Sequence, residues 1–539
     1  MSIASPPILK LLPDSAPFPP EQRTWLDGFF AGYLGLDTAA TPLTSEEAAA
    51  LVPGLLAPPA PAAPENDEPV TWHDPAIPLP ERMKLAEGRP LPLRMMAAMA
   101  QQDCGQCGSS CEDYSRSIFM KQEARLNLCV PGGKDTSRML KKLYEEIGVV
   151  PPAAPALAPA ADAPQPAPLP AGRSRDNPAI ATVVSRTRLN KNGSEKETWH
   201  VEFDLTQSGL DYAVGDSFGI IPMNEPALVN AIIRSLDAPP DFPIGGRSLR
   251  DVLIDGVSLS PAPDMLFQLY SYVTGGARRA KAKALGAGED PDGDAKTLDV
   301  LAAIEKFPGI RPDPEAFIEA LDPLQPRLYS ISSSPKAHSG RLSVTVDAVR
   351  YHIAKRQRLG VASTFLAERV TPGDTVKVYI QKAHNFGLPA DPAVPIIMVG
   401  PGTGIAPFRA FLHERMATKA PGRNWLFFGH QRHDCDFFYE DELAGMKAAG
   451  VLTRLSLAWS RDDKDKFYVH DRMRQVGHDI LAWLQEGAYL YVCGAIRMGQ
   501  DVERALVDII AQHGAHSADQ AIAYIADLKK HGRFQTDTY

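Results

Sequence analysis

The sequence predicts a multidomain α+β and α/β protein: a small helical four-cysteine module, an antiparallel β-barrel domain with a helical insertion, and a parallel-sheet α/β unit. Three observations lead there. Residues 151–172 are almost wholly proline and alanine, a composition that buries no core and forms a semi-rigid spacer, so the chain divides at this point. Ahead of the division, Cys104, Cys107, Cys111 and Cys129 crowd into one short segment. Behind it, period-2 alternation such as that of 180–186 gives way, from Pro395 onward, to apolar runs alternating with helical segments.

At 539 residues the chain is too long for one core, and ordinary domain sizes predict about three or four units. Residues 1–56 hold one amphipathic helix over 21–36, read as a packing helix, and 57–77 form a linker rich in proline, alanine and acid. Helical patterns at 92–102, 112–126 and 136–147 enclose the cysteines in a module spanning 78–150. After the linker 151–173, strands are expected at 180–186 and 197–205, then again from 327 to 380, with a helical insertion at about 225–319; the whole domain spans 174–392. In 393–539 the runs 396–400, 425–429, 452–459 and 488–493 read as strands of a parallel sheet.

Bulk chemistry narrows the function. A net charge of -9 and a pI near 5.8 supply no basic field for nucleic acid or an anionic membrane, and suit a partner with a basic docking face. The amino terminus lacks the basic start and apolar run of a secretory signal, no run of about eighteen apolar residues is present, and the cysteine spacing does not suit a disulfide framework. The expectation is a cytoplasmic protein in a reducing compartment.

The segment Arg327, Leu328, Tyr329, Ser330 combines a cation for phosphate, an aromatic able to stack on a flat ring and a hydroxyl beside it. Alone, it would be an ordinary strand and turn. Gly360, Val361, Ala362 and Ser363 offer a glycine turn opening a helix, whose N–H groups can meet a pyrophosphate; the plainer reading is a helix cap. The run 396–400 leads into Gly402, Thr403 and Gly404 and on to Pro407, Phe408 and Arg409, a strand, a glycine-rich turn and a helix with proline in its first turn.

With the later segments Ala458-Trp459-Ser460-Arg461, Lys466-Phe467-Tyr468-Val469-His470, Tyr491-Val492-Cys493-Gly494 and the terminal Arg533 to Tyr539, residues 175–539 resemble the reductase half of the diflavin (ferredoxin-NADP reductase-like) family, of the NADPH-sulfite reductase flavoprotein kind. The motifs fall in the family's order. The resemblance implies an FAD-binding β-barrel and an NADP-binding α/β domain. It assigns FAD to Arg327, Leu328, Tyr329, Ser330, Thr345, Val346, Asp347, Tyr351, Gly360, Val361, Ala362 and Ser363, with Thr274 from the insertion. Gly402, Thr403 and Gly404 would cradle a cofactor. NADPH would lie on Ser460, Arg461, Lys466, Phe467, Tyr468, Val469, His470 and Asp501; the family usually has glutamine where this chain has His470. Arginine and lysine there suit a 2′-phosphate, where an NAD site would present an acid. Cys493, Ser330 and Asp537 would steady the hydride path, although Cys493 can equally be a small buried apolar group. Tyr539 would cover the flavin ring.

A diflavin reductase carries a flavodoxin domain ahead of this half, and residues 1–172 show no strand followed by a hydroxyl-rich phosphate loop. No FMN site is therefore expected. Hydride brings two electrons whereas haem and cluster acceptors take one, so a carrier is needed between them. The C-x2-C-x3-C-x17-C spacing of Cys104, Cys107, Cys111 and Cys129 resembles small modules that hold a 4Fe-4S cluster. Structural zinc, and no metal at all, stay open, although zinc sites usually pair their cysteines two and two. The sequence thus predicts an NADPH-dependent oxidoreductase passing electrons through FAD and a 4Fe-4S cluster to a partner, foremost the sulfite reductase haemoprotein, with the proline-rich spacer letting the module swing. Alternatives are the reductase component of an assimilatory nitrate or nitrite reductase, and a reductase working with a separate flavodoxin and a zinc-stabilised docking module.

Overall fold

The computed structural model of the chain describes residues 72–75, 77–147, 170–383 and 385–539. The helix expected at 21–36 and nearly all of both linkers lie outside the described residues. Trp72, which composition assigned to the first linker, is buried against Ala86 and Ala97, so the packed module begins earlier than expected.

The module consists of α1 (Leu79–Leu85), α2 (Leu91–Ala98), α3 (Cys111–Phe119) and α4 (Gly133–Glu146). Proline in the first turn starts α1 and α2, where a missing N–H costs nothing, and the Ser110 hydroxyl caps α3 by accepting from Asp113 N at 3.0 Å. The middle helix stops well short of the expected residue 126, because Lys121 takes a left-handed conformation (φ 56°) and turns the chain. Met95, Met99, Tyr114, Ile118, Leu140 and Leu143 form the core. Tyr114 Oη donates to Arg125 O at 2.6 Å and accepts from Leu128 N at 3.2 Å, pinning the returning segment that carries Cys129.

The next strands are β1 (Ala179–Arg188), β2 (Thr198–Asp204) and β3 (Ser217–Ile220). An insertion follows, made of α5 (Pro226–Leu236), a ribbon of β4 (Pro243–Ile244) and β5 (Arg247–Ser248), α6 (Leu249–Asp255), α7 (Asp264–Val273), α8 (Gly276–Gly286), α9 (Val300–Lys306) and α10 (Pro314–Glu319). It packs round its own core of Leu249, Leu266, Phe267, Tyr270, Phe307 and Phe317. Strands resume with β6 (Arg327–Ser330), β7 (Arg341–Asp347), the ribbon β8 (Arg350–Ile353) and β9 (Arg356–Leu359), the short α11 (Val361–Thr364) and β10 (Thr375–Gln381). Six of these strands form an antiparallel sheet in the order β6-β3-β10-β1-β2-β7, and a bridge between Ile331 and Val344 brings its two edges into contact.

The carboxyl-terminal unit runs β11 (Ile396–Val399), α12 (Ala406–Ala417), β12 (Asn424–His430), α13 (His433–Asp436), α14 (Glu440–Ala448), β13 (Arg454–Trp459), α15 (Val469–Gln475), α16 (Gly477–Gln485), β14 (Tyr489–Gly494), α17 (Ile496–Gly514), α18 (Ala518–Lys530) and β15 (Phe534–Thr538). Its five strands are all parallel, in the order β13-β12-β11-β14-β15, with apolar clusters on both faces. The chain leaves β11 toward β12 on one side and returns to β14 on the other, so the switch point lies between β11 and β14. Among the described residues no helix is long and apolar enough to cross a membrane.

The cysteine module is seated on the antiparallel-sheet unit. Arg138 holds Asp264 by two bonds of 2.7 and 2.8 Å, Arg125 holds Asp176 at 2.9 and 3.1 Å, and Asn127 Nδ2 donates to Asp322 at 3.0 Å. Charge pairing of this kind is invisible in a composition argument about a linker.

Candidate active site

At the switch point the loop after β11 meets the end of β14. A Cβ at position 404 would stand 2.1 Å from Cys493 O, so only glycine allows this approach, and Gly402 supplies the left-handed turn (φ 59°) before it. Register places Cys493 beside Asp537 on β14 and β15. From the other sheet, Ser330 at the end of β6 donates to Asp537 Oδ2 at 2.6 Å, and Cys493 Sγ lies 3.8 Å from the same oxygen. Burial raises the Cys493 thiol well above its ordinary pKa, and the Asp537 charge adds to this. Burial likewise raises Asp537, against the hydrogen bonds from Ser330 and Cys493. The thiol therefore stays protonated at neutral pH, a hydrogen-bond donor rather than a nucleophile. Tyr539 Oη is bonded to Thr403 Oγ1 at 2.8 Å, and its backbone N donates to Gly494 O at 3.1 Å, so the terminal ring stands over the glycine turn.

The residues expected to hold FAD lie on β6 and β7, the two edge strands that the Ile331–Val344 bridge brings together, and on the segment that follows β7. Arg327 is half-buried, its guanidinium donates to Pro326 O at 3.2 Å, and no carboxylate pairs with it among the described residues. A half-buried cation without an acid suits a phosphate. Leu328 and Tyr329 are half-buried beside it, and burial raises the Tyr329 phenol. Tyr351 stands 47% exposed, a free aromatic face, and the backbone of Gly360, Val361 and Ala362 opens α11. The Ser363 hydroxyl is committed within the turn, accepting from Val349 N at 3.1 Å.

Thr345, Val346 and Asp347, expected to bind FAD, stand on β7 and make contacts within the protein. The Thr345 hydroxyl is bonded to Tyr439 Oη at 2.7 Å, Val346 is buried in the sheet core, and Asp347 pairs with Lys196 at 3.2 Å. Thr274 stands apart as the cap residue after α7, with its carbonyl taken by Arg279 at 2.9 Å.

The residues expected to read NADPH gather past β13. Ser460 donates to His430 O at 3.2 Å, Lys466 is exposed, and Arg472 lies over the Phe467 ring at 4.8 Å. Tyr468 is 43% exposed and stacks on His470 with centroids 5.5 Å apart, while Val469 is buried at the start of α15. Arg461 is ion-paired with Glu195 from the segment between β1 and β2, and Asp501 with Arg504. Sequence reasoning missed Glu195, which lies 266 residues from its partner.

It also missed a buried network joining the two sheets. Arg409 donates to Ser332 O at 2.7 Å and to Glu442 at 2.8 Å, His413 bonds Glu442 at 2.9 Å and shares a hydrogen bond with His338 at 3.0 Å. Arg409 lies 4.9 Å over the Tyr439 ring, and Tyr439 Oη also meets His200 at 3.0 Å. Burial pushes Glu442 up, but the bond from His413 and the charge of Arg409 outweigh it and hold the carboxyl at about 2.

In the module, all four cysteines line one hollow together with Met99, Tyr114 and Pro131. Asp103 Oδ1 accepts from Cys111 N at 2.7 Å, and positive φ at Gly105 and Gly108 folds the loop between the first three thiols. Ala100 N points at Cys129 Sγ at 3.4 Å. Burial pushes Cys104 up to about 11 and raises Cys107, Cys111 and Cys129 as well. Among the described residues, no three His, Cys, Asp or Glu side chains are gathered in a way that could hold a metal ion.

Comparison with known proteins agrees with this geometry. Residues 171–245 and 256–365 match the FAD binding domain, and 398–504 match the oxidoreductase NAD-binding domain. The chain is similar to the sulfite reductase (NADPH) flavoprotein alpha-component of Photorhabdus laumondii, 40% identical over 371 residues covering 68% of this chain and 61% of that one. The corresponding component of Bacillus subtilis is 39% identical over 373 residues, covering 68% and 62%, and that of Escherichia coli K12 is 40% identical over 371 residues, covering 68% and 61%. The chain thus spans about three fifths of the length of these curated relatives. On its two matched domains the chain is an FAD- and pyridine-nucleotide-binding oxidoreductase.

Proposed function

We propose that the chain is an NADPH-dependent flavoprotein reductase that delivers electrons singly, through a 4Fe-4S cluster on Cys104, Cys107, Cys111 and Cys129, to the haemoprotein of a sulfite reductase. One observation carries the reading: the Ser330, Asp537 and Cys493 side chains meet at the switch point, where the FAD-binding and NAD-binding domains face each other. FAD, when bound, accepts hydride as a two-electron carrier. The chain's part is positioning. Arg327 and the α11 backbone would hold the pyrophosphate, Tyr351 the adenine, and Arg461 and Lys466 the 2′-phosphate. Tyr539 covers the crevice, and Ser330 with the protonated Cys493 would orient the nicotinamide ring.

What supports the cluster reading is the C-x2-C-x3-C-x17-C spacing, with all four cysteines lining one hollow. Arg82 supports it too: the buried side chain is held by Ala97 O at 3.0 Å and Ile77 O at 2.8 Å, and its charge acts on Cys129 and Cys111, offsetting thiolate charge. The module then does what FMN does in a diflavin reductase. We place the protein in the cytoplasm.

Iron and acid-labile sulfide analysis beside flavin extraction tests this, with an electron paramagnetic resonance spectrum of the NADPH-reduced protein. The expected result is one FAD, iron and sulfide in equal amounts, and a low-temperature iron signal. Stoichiometric FAD without iron, or with bound FMN, defeats the cluster route. Sulfite reduction with the partner haemoprotein, against nitrate and nitrite reductases as acceptors, decides the client.

A further inference from the structure

The segment 189–197, between β1 and β2, belongs to the antiparallel-sheet unit by chain order but is anchored on the parallel-sheet unit. Asp436, fully buried, accepts from Asn190 Nδ2 at 2.7 Å and from Ser194 Oγ at 2.5 Å, and Lys191 N donates to Cys435 O at 2.8 Å. Ser194 Oγ also accepts from Lys196 N at 3.0 Å, which fixes the backbone on both sides of Glu195. The segment is a strap pinned at Ser194 rather than a loose hairpin end.

The next three side chains carry alternating charge, and each meets an opposite charge in a different place. Glu195 pairs with Arg461, just past β13; Lys196 pairs with Asp347, at the end of β7, at 3.2 Å; Glu197 pairs with Arg350, at the start of β8, at 2.8 Å. Their enclosure differs. The Glu195 and Arg461 side chains are 57% and 42% exposed, whereas those of Glu197 and Arg350 are 27% and 23% exposed. An exposed pair between two long side chains is worth little, so the Glu195 end yields first while the Glu197 end holds. Among the described residues no other side chain engages the Arg461 guanidinium. The Glu195 carboxylate brings one negative charge, while a phosphate monoester brings nearly two and three acceptor oxygens, and so outcompetes it.

We propose that Glu195 is a built-in stand-in for the 2′-phosphate: it closes the strap over Arg461 in the free protein, and a 2′-phosphorylated nucleotide opens the strap by taking the guanidinium. This rests on the reading that Arg461 holds the 2′-phosphate. A nucleotide without that phosphate has nothing to exchange for Glu195 and leaves the strap shut. Opening releases one tie between the two sheet units, the Glu195–Arg461 pair, while Asn190 and Ser194 keep the base of the strap on Asp436. Glu195 thus stays tethered beside Arg461 and retakes it when the nucleotide leaves.

The test uses the full chain loaded with FAD, and as probes 2′,5′-ADP and 5′-AMP, which differ in the 2′-phosphate alone. Hydrogen exchange of 189–198 reads the strap, and titration calorimetry reads affinity. In the parent, 2′,5′-ADP should speed exchange of the strap several-fold and 5′-AMP should not. Glu195→Gln should exchange fast without ligand, gain nothing further from 2′,5′-ADP, and bind it roughly 2- to 5-fold more tightly, with 5′-AMP affinity unchanged. Once Arg461→Ala is present, Glu195→Gln should no longer alter affinity, because the two residues act as one unit. Strap exchange unchanged or slowed by bound 2′,5′-ADP, or equal affinity of the parent and Glu195→Gln, overturns the proposal. Should the parent bind 2′,5′-ADP no more tightly than 5′-AMP, the placement of the 2′-phosphate on Arg461 fails, and the proposal with it.

Discussion

The hydroxyl of Ser330 donates to Asp537 Oδ2 at 2.6 Å, tying the end of β6 to β15 and so joining the antiparallel sheet to the parallel one. Ser330→Ala removes this tie and a polar group at the hydride crevice. The expected outcome in stopped-flow mixing with NADPH is flavin reduction slowed by roughly 10- to 100-fold, with bound FAD retained.

Asp537 also sets a pH dependence. Burial raises its carboxyl, so the folded state favours the neutral form. The associated stability is full below the ordinary carboxylate pKa and is lost as pH rises through the raised one. Asp537→Asn should therefore melt higher than the parent at pH 8, by an amount worth roughly 1 kcal/mol or less, and show no such gain near pH 4. Calorimetry at the two pH values checks it.

The ion pair between Arg461 and Glu195 must open for the guanidinium to meet a 2′-phosphate. Glu195→Ala should lower KM for NADPH by roughly 2- to 5-fold with kcat unchanged, because a surface pair is worth about 1 kcal/mol or less. Arg461→Ala should raise KM for NADPH roughly tenfold or more and leave NADH nearly unaffected, since it removes a charge-assisted contact. Steady-state kinetics with both nucleotides separates these effects.

Gly404→Ala drives a methyl group into Cys493 O, whose distance from that Cβ position is 2.1 Å. Backbone must shift on both sides of the crevice. We expect a loss of about 3 kcal/mol in denaturant unfolding, and impaired reduction by NADPH even in the folded fraction.

Glu442 is held at about 2 although burial pushes the other way, so its stabilising effect is present above the ordinary carboxylate pKa and lost as pH falls toward 2. Glu442→Gln strips Arg409 of its carboxylate and should cost roughly 3 kcal/mol at pH 7, with acid unfolding between pH 4.5 and 2 less steep than in the parent. Denaturant midpoints across that pH range measure both.

What could be read from the chain was what is local in it. The strand, glycine turn and helix of 396–409 carry their signal in adjacent residues, and so do the three spacings between the four cysteines. Contacts made by folding left no such mark. Glu195 carries no sign of Arg461, nor Thr345 of Tyr439, whose phenol takes the hydroxyl that the sequence offered to a ligand. Thr274 was included by resemblance, and in the fold it caps a helix of the insertion. Trp72 read as linker because its neighbours are prolines and acids, yet one large apolar ring is enough to anchor a segment.

The seat of the cysteine module also orders events during synthesis. Asp322, which holds Asn127, lies 195 residues downstream of it, and Asp264 and Asp176 are likewise made after the thiols. At ordinary elongation rates the helices round Cys104 and Cys129 leave the ribosome roughly 10–40 s before Asp322 is made. During that interval the thiol loop is open on the side that later faces Gln381.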